Sequence, residues 1–253
     1  MPAFLAVALC TLNHADRLAR TLAGLAHVQS PSQPWEFLVI DNASSDATLQ
    51  LLAAPGWRPA GVEVRVVCEE KLGLYNARNR ALLEARGDYL LFMADDETPD
   101  PAWLTECATP IFGGNFSFRR SVFERIGNFD TRLGRQGIAN IGGEDTEIYR
   151  RLLEHGRRVR WVPEVIIHHR IQTPKLRRSY FLDLHFRQGR MEGARKRSSR
   201  SRLPPRYLVP QILRAYSRAL AQRIKQDPAP SLRQGMNAAY FAGYFLGWVR
   251  AAT

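Results

Sequence analysis

Apolar residues in the first hundred positions are concentrated in four short runs, separated by polar and helix-compatible segments. The runs span residues 4–10, 35–41, 62–68 and 88–94. The runs at 4–10, 35–41 and 88–94 are mostly apolar, and the run at 62–68 alternates apolar and polar residues over most of its length. Both patterns predict strands. Helix-compatible segments at 16–27 and 74–86 lie between them. Repeated strand–helix units predict an α/β fold, with a parallel sheet covered by helices on both faces.

The middle of the chain continues with mixed elements. Residues 113–120 predict a short strand that leads into a helix ending near Ile126, and residues 159–169 predict one or two more strands. A helix is expected to begin at Glu144 and to stop at Gly156, since its acidic first turn and its glycine suit the helix dipole and a C-terminal cap. From Thr173 onward the pattern is helical and basic.

Acidic side chains follow two of the predicted strands. Asp41 ends the second strand, and Asp95, Asp96 and Glu97 directly follow the fourth. Adjacent carboxylates raise each other's pKa unless a cation or hydrogen-bond donors offset the repulsion. Because ligands of open parallel sheets bind at the carboxyl ends of strands, this edge is the predicted site.

Cysteine content and hydropathy indicate the cellular compartment in which the protein is expected. The chain has only three cysteines, an odd number, which favours free thiols in a reducing compartment over a disulfide framework. The apolar N-terminal run is interpreted as a strand rather than a signal peptide, and no run reaches the ~20 apolar residues of a membrane span. We therefore expect a cytoplasmic protein.

The net positive charge of the chain comes from one segment. The net charge is +12, and residues 170–225 hold sixteen Lys or Arg residues against two acidic ones. The remainder is slightly acidic. This distribution predicts a basic surface in the C-terminal part that is separate from the site at the sheet edge.

Several short stretches between residues 4 and 170 follow one another in a recognisable order. They are Thr11-Leu-Asn13, 39–46, 73–80, 86–92, the acidic cluster with 99–104, 127–130, 143–147 and 163–169. Together they resemble the family 2 inverting glycosyltransferases, which have the GT-A fold. The resemblance implies a Rossmann-like, mostly parallel sheet in a catalytic domain at 1–172. A basic helical appendage at 173–253 would follow.

The resemblance assigns metal chemistry to the acidic cluster. Asp96 corresponds to the metal ligand and Asp95 to a contact with ribose or metal, while the first acid of the motif is Ala94 here. His169 corresponds to an additional metal ligand in some members, although a structural role for it is equally open. The expected cofactor is Mn²⁺ or Mg²⁺, and an imidazole ligand favours manganese.

The resemblance also assigns the catalytic base. Asp145 corresponds to the base that deprotonates the acceptor hydroxyl, with Glu144 beside it. Acids are also common as helix caps, so capping alone is the alternative for this pair.

The donor-binding residues come from the first three strand–helix units. Asp41 is expected to bind the nucleotide base, or else only to cap the next helix. Arg78 is expected to contact the donor phosphates or base, or else to be solvated. Thr11 and Asn13 are expected to line the nucleotide pocket.

The predicted function is metal-dependent transfer of a sugar from a nucleoside-diphosphate donor to an acceptor hydroxyl. The resemblance suggests a saccharide or lipid-linked acceptor, in bacterial polysaccharide or glycolipid synthesis. Only nine residues separate Trp103 from Gly113, where members usually have several dozen. The shortened segment at 104–112 leaves open a non-catalytic protein that binds nucleotide sugars.

Two functions are considered for the basic tail. Residues 195–202 and the aromatic stretch 240–248 suit peripheral contact with anionic lipid at the inner membrane face. Packing of the apolar residues on the rest of the protein is the alternative. Binding of RNA or DNA is a further alternative, but the arginine-rich stretch lacks interleaved aromatics and matches no nucleic-acid-binding module.

Overall fold

The computed structural model describes residues 3–106, 116–131, 144–160, 162–197, 205–225 and 228–250. The chain divides into two compact units, Met1–Arg170 and Ile171–Thr253. The first contains a sheet with flanking helices, and the second is helical.

Seven strands occur in the described part of the first unit. They are β1 (Leu5–Thr11), β2 (Trp35–Asp41), β3 (Glu63–Cys68), β4 (Tyr89–Ala94), β5 (Glu97–Pro99), β6 (Phe116–Arg119) and β7 (Ile167–His169). Five of them form a sheet in the order β3-β2-β1-β4-β6, in which only the β4–β6 pair is antiparallel. β5 and β7 form a separate antiparallel pair.

Helices connect these strands. Their bounds are α1 (Ala15–Leu25), α2 (Thr48–Ala53), α3 (Leu74–Glu84), α4 (Trp103–Glu106), α5 (Phe123–Ile126) and α6 (Glu144–Glu154), with single 3₁₀ turns at Pro55–Trp57 and Arg120–Val122. Each parallel strand pair is joined through a helical crossover, as parallel pairing requires.

The two faces of the sheet are both buried. Along β1, Ala6 and Ala8 pack in one apolar cluster with side chains of α3, and Val7 and Leu9 pack in the other with side chains of α1. Successive strand residues point to opposite faces, so a continuous apolar run is what a sheet covered on both sides requires. The expected α/β fold with a mostly parallel sheet flanked by helices is confirmed.

The predicted strands at 159–169 are much shorter in the structure. Among the described residues of this range only Ile167–His169 is a strand, and a turn at 163–164 precedes it. Val165 donates its N–H to the carbonyl of Val162, and both valines are buried in the core. Pro163 has no N–H to donate to a strand ladder, which explains why the apolar run does not extend into a sheet.

Three helices form the described part of the second unit, apart from a 3₁₀ turn at Thr173–Leu176. They are α7 (Arg178–Arg197), α8 (Leu208–Ile224) and α9 (Pro228–Arg250). α7 and α9 approach each other closely at two glycines on each helix: Gly189 and Gly193, Gly243 and Gly247. A Cβ at any of these four positions would collide with backbone of the facing helix.

Part of the aromatic stretch at 240–248 lies inside this unit. Tyr244 and Trp248 are buried in one cluster with Leu208 of α8. Of the two alternatives considered for this stretch, contact with lipid is therefore wrong for these two rings, which pack within their own unit. No helix in the described segments is both long and apolar enough to span a bilayer.

Candidate functional site

Asp95 follows β4 and is held by three neighbouring side chains. Its Oδ2 accepts a hydrogen bond from Thr11 Oγ1 at 2.7 Å and lies 2.8 Å from Nδ1 of His14, and its carbonyl accepts from Thr21 Oγ1 at 2.9 Å. Asp95 is buried. A carboxylate with this many polar partners keeps its position without a ligand.

Asp96 and His169 come together through the β5–β7 pair. The antiparallel register puts Glu97 opposite His169, and the N–H of Arg170 bonds to the carbonyl of Asp96 at 3.0 Å. Nε2 of His169 then lies 3.2 Å from Oδ2 of Asp96. The two residues predicted to bind metal are thus neighbours, and the His169 side chain is half exposed.

Glu97 is turned inward. Its Oε2 accepts the N–H of Ala94 at 2.8 Å, which closes the turn between β4 and β5. Burial raises the pKa of this carboxyl, and the charge of Asp96 raises it further, while the backbone bond and the charges of His169 and Arg78 lower it. Glu97 therefore has a structural part in the turn.

Arg78 lies in an aromatic pocket. It is 8% exposed, and its Cζ atom lies 4.9 Å from the ring centre of Phe116, 5.6 Å from that of Phe129 and 5.9 Å from that of Phe92. The alternative of a solvated arginine is wrong. The stacked, buried guanidinium supplies a fixed positive charge under the acidic cluster.

Asp41 ends β2 and is fully buried. Its Oδ2 accepts the N–H of Ser44 at 3.2 Å, whereas the buried Oδ1 has no hydrogen-bond partner among the described residues. Capping of the next helix is not its role, because α2 begins at Thr48 and Asp46 accepts the N–H of that residue at 3.0 Å. An unsatisfied buried carboxylate oxygen is costly, which marks this atom as a position for a ligand donor.

Asn13 joins two loops at the same edge of the sheet. It has a positive φ of 53°, and its Oδ1 accepts the N–H groups of Ser45 at 2.7 Å and Asp46 at 3.3 Å. The loops after β1 and β2 are therefore fixed to each other. The amide oxygen of Asn13 therefore holds the loop that follows Asp41.

Glu144 and Asp145 are the first two residues of α6, and their side chains lie outside the described part of the structure. The helix itself is anchored, since Arg151 donates hydrogen bonds to the carbonyls of Ile126, Gly127 and Asn128. The same chain segment continues to Phe129, whose N–H and C=O both bond to the amide of Asn79 on α3. The base candidates thus begin a helix that is fixed to the site's framework.

The predicted donor and metal residues gather at the carboxyl edge of the sheet. Thr11 is paired with Asp41 in the β1–β2 register, and Cys10 with Ala94 in the β1–β4 register. His14 and Thr21 are the residues that sequence reasoning missed. The sequence indicates a place for them in the site only through their positions, since His14 is the N-cap residue of α1 and Thr21 lies within it, directly after β1 in the chain.

The protein donors at this edge are few. In the ranges that the structure describes, no group of three or more His, Cys, Asp or Glu side chains could hold a metal ion. Asp96 and His169 offer one oxygen donor and one nitrogen donor. One or two protein ligands are what a hard divalent cation needs when phosphate oxygens and water complete its coordination.

Comparison with known proteins gives one family and several relatives. The model of Glycosyl transferase family 2 matches residues 6–202. Glycosyltransferase AglE of Haloferax volcanii is 27% identical over 147 residues, which are 54% of this chain and 48% of that protein. The chain therefore spans about half the length of this curated relative.

Two solved structures share the fold. Mannosyltransferase PcManGT from Pyrobaculum calidifontis, in complex with GDP-Man and Mn²⁺, has a TM-score of 0.69 at 18% identity; the match covers 96% of this chain and 86% of that one. GalNAc-T7 with UDP, GalNAc and Mn²⁺ has a TM-score of 0.59 at 16% identity, covering 80% and 52%. At these identities the likeness establishes the fold, which is GT-A.

Proposed function

This chain belongs to glycosyl transferase family 2, and we propose that it is a metal-dependent inverting enzyme. It would transfer a sugar from a nucleoside diphosphate to the hydroxyl of a saccharide or lipid-linked acceptor. Bacterial polysaccharide or glycolipid synthesis is the proposed setting. The observation that carries the proposal is the buried Asp95 beside the Asp96–His169 pair at the carboxyl edge of the sheet.

Asp96 and His169 would hold the divalent cation, Mn²⁺ or Mg²⁺. Their nitrogen and oxygen donors, Nε2 and Oδ2, lie 3.2 Å apart, and this mixed set would suit Mn²⁺. When bound, the cation neutralises the negative charge that develops on the leaving diphosphate. The complexes of PcManGT with GDP-Man and Mn²⁺ and of GalNAc-T7 with UDP, GalNAc and Mn²⁺ support this choice.

The donor nucleotide would lie across the edge formed by β1, β2 and β4. Asp95 would bind the ribose hydroxyls. Thr11 would orient the Asp95 carboxylate, since its hydroxyl donates a hydrogen bond to Oδ2 of Asp95. Oδ1 of Asp41, which has no hydrogen-bond partner among the described residues, would accept an N–H of the base. Asn13 would fix the loop that covers the base, and Arg78 would add positive charge beneath the diphosphate.

Asp145 would be the general base, with Glu144 beside it. An ionised carboxylate is favoured in the first turn of a helix, where α6 places both residues. The acceptor hydroxyl would lose its proton to Asp145 as its oxygen bonds to the anomeric carbon. The bond from that carbon to the phosphate oxygen would break in line, with its electron pair leaving on the diphosphate, and the anomeric configuration would invert.

The test combines a donor screen with two variants. Wild-type protein is incubated with nucleoside-diphosphate sugars and candidate acceptors with and without Mn²⁺, and product configuration is read by NMR. We expect Asp145→Asn to lose turnover while keeping donor affinity, and Asp96→Asn to lose Mn²⁺-dependent donor binding. Donor binding without turnover on any acceptor would instead identify a nucleotide-sugar-binding protein.

A further inference from the structure

Helix α8 carries apolar side chains on two faces, and the described residues of the second unit cover only one of them. Leu208, Ile212 and Ala215 form the covered face, where Leu208 and Ile212 pack in the cluster that contains Tyr244 and Trp248 of α9. The α8 apolar stripe is the other face. It consists of Val209, Leu213, Tyr216, Leu220 and Ile224.

The stripe is continuous and exposed. Its members are spaced by four, three, four and four residues, so they lie on one side of the helix. Each is between 51% and 73% exposed. The stripe runs about 22 Å along the helix axis, at 1.5 Å per residue. Single exposed apolar residues are ordinary, but a row of five on one face marks an interaction surface.

Only positive charges flank the stripe. Residues 205–225 contain Arg206, Arg214, Arg218, Arg223 and Lys225 and no acidic residue. On a helical projection Arg223 lies at one edge of the stripe, Arg214 lies beyond the other edge, and Arg218 lies nearly opposite, on the polar face. An apolar face bordered by arginines is the pattern of a helix that lies in the plane of a lipid interface.

We propose that the α8 apolar stripe is the surface by which this protein lies on an anionic lipid bilayer. The five apolar side chains enter the boundary between headgroups and acyl chains, while the flanking arginines bind anionic headgroups. A second copy of this chain is a poorer partner. Packing of two stripes against each other would bring the arginines of both helices together, and neither helix has an acidic residue to pair with them. The sequence-based expectation named residues 195–202 and 240–248, whereas the exposed apolar side chains of the structure point to one face of α8.

The inference does not depend on the proposed transfer reaction. Its evidence lies in α8 alone, and none of the residues proposed to bind donor, metal or acceptor belongs to that helix. The two proposals therefore fail separately, since vesicle binding is measured without donor and donor binding is measured without vesicles.

The experiment is co-sedimentation of the full chain with vesicles of phosphatidylcholine, with or without phosphatidylglycerol. We expect binding to the anionic vesicles that weakens as salt is raised. The triple variant Leu213→Gln, Leu220→Gln, Ile224→Gln should lower the partition coefficient at least tenfold. The variant Arg214→Gln, Arg223→Gln, which removes one arginine from each side of the stripe, should lower it about thirtyfold on anionic vesicles and weaken the salt dependence.

The matched control is Leu83→Gln with Leu153→Gln, two exposed leucines of the first unit on α3 and α6. It removes apolar surface of the same kind and should leave vesicle binding unchanged. Circular dichroism checks that every variant is folded. Absence of vesicle binding by the wild type, or equal binding by the triple variant, overturns the proposal. So does a dimer in vesicle-free buffer that the triple variant abolishes, because the stripe would then be covered by a second copy.

Discussion

Nε2 of His169 lies 3.2 Å from Oδ2 of Asp96, although the two residues are 73 positions apart in the chain. The contact depends on the pairing of two three-residue strands, β5 and β7, in which Glu97 is opposite His169. The β5–β7 pair therefore holds the His169 side chain, near the end of the first unit, beside the acidic cluster that follows β4. The proposed metal pair exists only in the folded chain.

The first prediction concerns the role of His169. If its imidazole is a metal ligand, His169→Ala should weaken Mn²⁺-dependent binding of a nucleoside diphosphate by about tenfold or more, since even residues supporting a ligand contribute that much. Binding measured in EDTA should not change, because the base and ribose contacts remain. Isothermal titration calorimetry in both conditions measures the difference.

The adjacent His168 provides the control. It is exposed and belongs to the same strand, but neighbouring strand residues point to opposite faces. His168→Ala should leave the Mn²⁺ dependence intact. If both variants, or neither, altered the dependence, His169 would have no specific contact with the metal.

A second prediction concerns Asp41. Its buried Oδ1 has no hydrogen-bond partner in the part of the chain that the structure describes, and the proposed function assigns that atom to the nucleotide base. Asp41→Asn should lower the affinity for a nucleoside diphosphate about tenfold, because a charged acceptor is replaced by an amide that can present its NH₂ group to the base. Affinity for inorganic pyrophosphate with Mn²⁺ should stay the same. Equal losses for the two ligands would show that Asp41 acts on the whole site and not on the base.

A third prediction concerns thiol reactivity. Burial raises the pKa of Cys10 from 9.0 to about 12; the charge of Arg78 lowers it somewhat and that of Asp95 raises it. Cys68 is exposed. Alkylation needs the thiolate, so at pH 8 iodoacetamide should modify Cys68 and leave Cys10 unmodified.

Peptide mass mapping distinguishes these two sites from Cys107, which lies outside the described residues. In guanidinium both Cys10 and Cys68 should react, because unfolding removes the burial that suppresses the Cys10 thiolate. Equal rates at the two cysteines in native protein would mean that the end of β1 is open to solvent, contrary to the structure.

Local patterns were enough to predict the strands of the central sheet. The first four were placed within one residue at each end, because three are mostly apolar runs and the third, at 62–68, alternates apolar and polar residues over most of its length. The helix expected at 74–86 ends earlier, at Glu84. Gly87 lies against the backbone of Leu5 and Ala6, where a Cβ would be 2.6 Å from the Ala6 nitrogen, so the chain must already be leaving the helix there.

Long-range contacts set the limit of sequence reasoning. The direction of β6 depends on its pairing with β4, and the bond from His14 to Asp95 joins residues 81 apart. Neither has a local signal. The buried position of Arg78 was missed for the same reason, because Phe92, Phe116 and Phe129 come from three separate segments.

The last prediction concerns the close approach of α7 and α9. A Cβ added at Gly243 would overlap the carbonyl oxygen of Phe186, and backbone atoms of a packed helix have little room to move. Gly243→Ala should therefore separate the helices and lower the free energy of unfolding of the second unit by about 1–3 kcal/mol. The loss from this collision outweighs the gain in helix propensity, up to about 1 kcal/mol, that alanine brings over glycine in a helix interior. Thermal unfolding followed by circular dichroism measures it, with Gly56→Ala as the control, since a Cβ there meets nothing within 4 Å. A Gly243→Ala variant as stable as the wild type would mean that α7 and α9 do not pack at this distance.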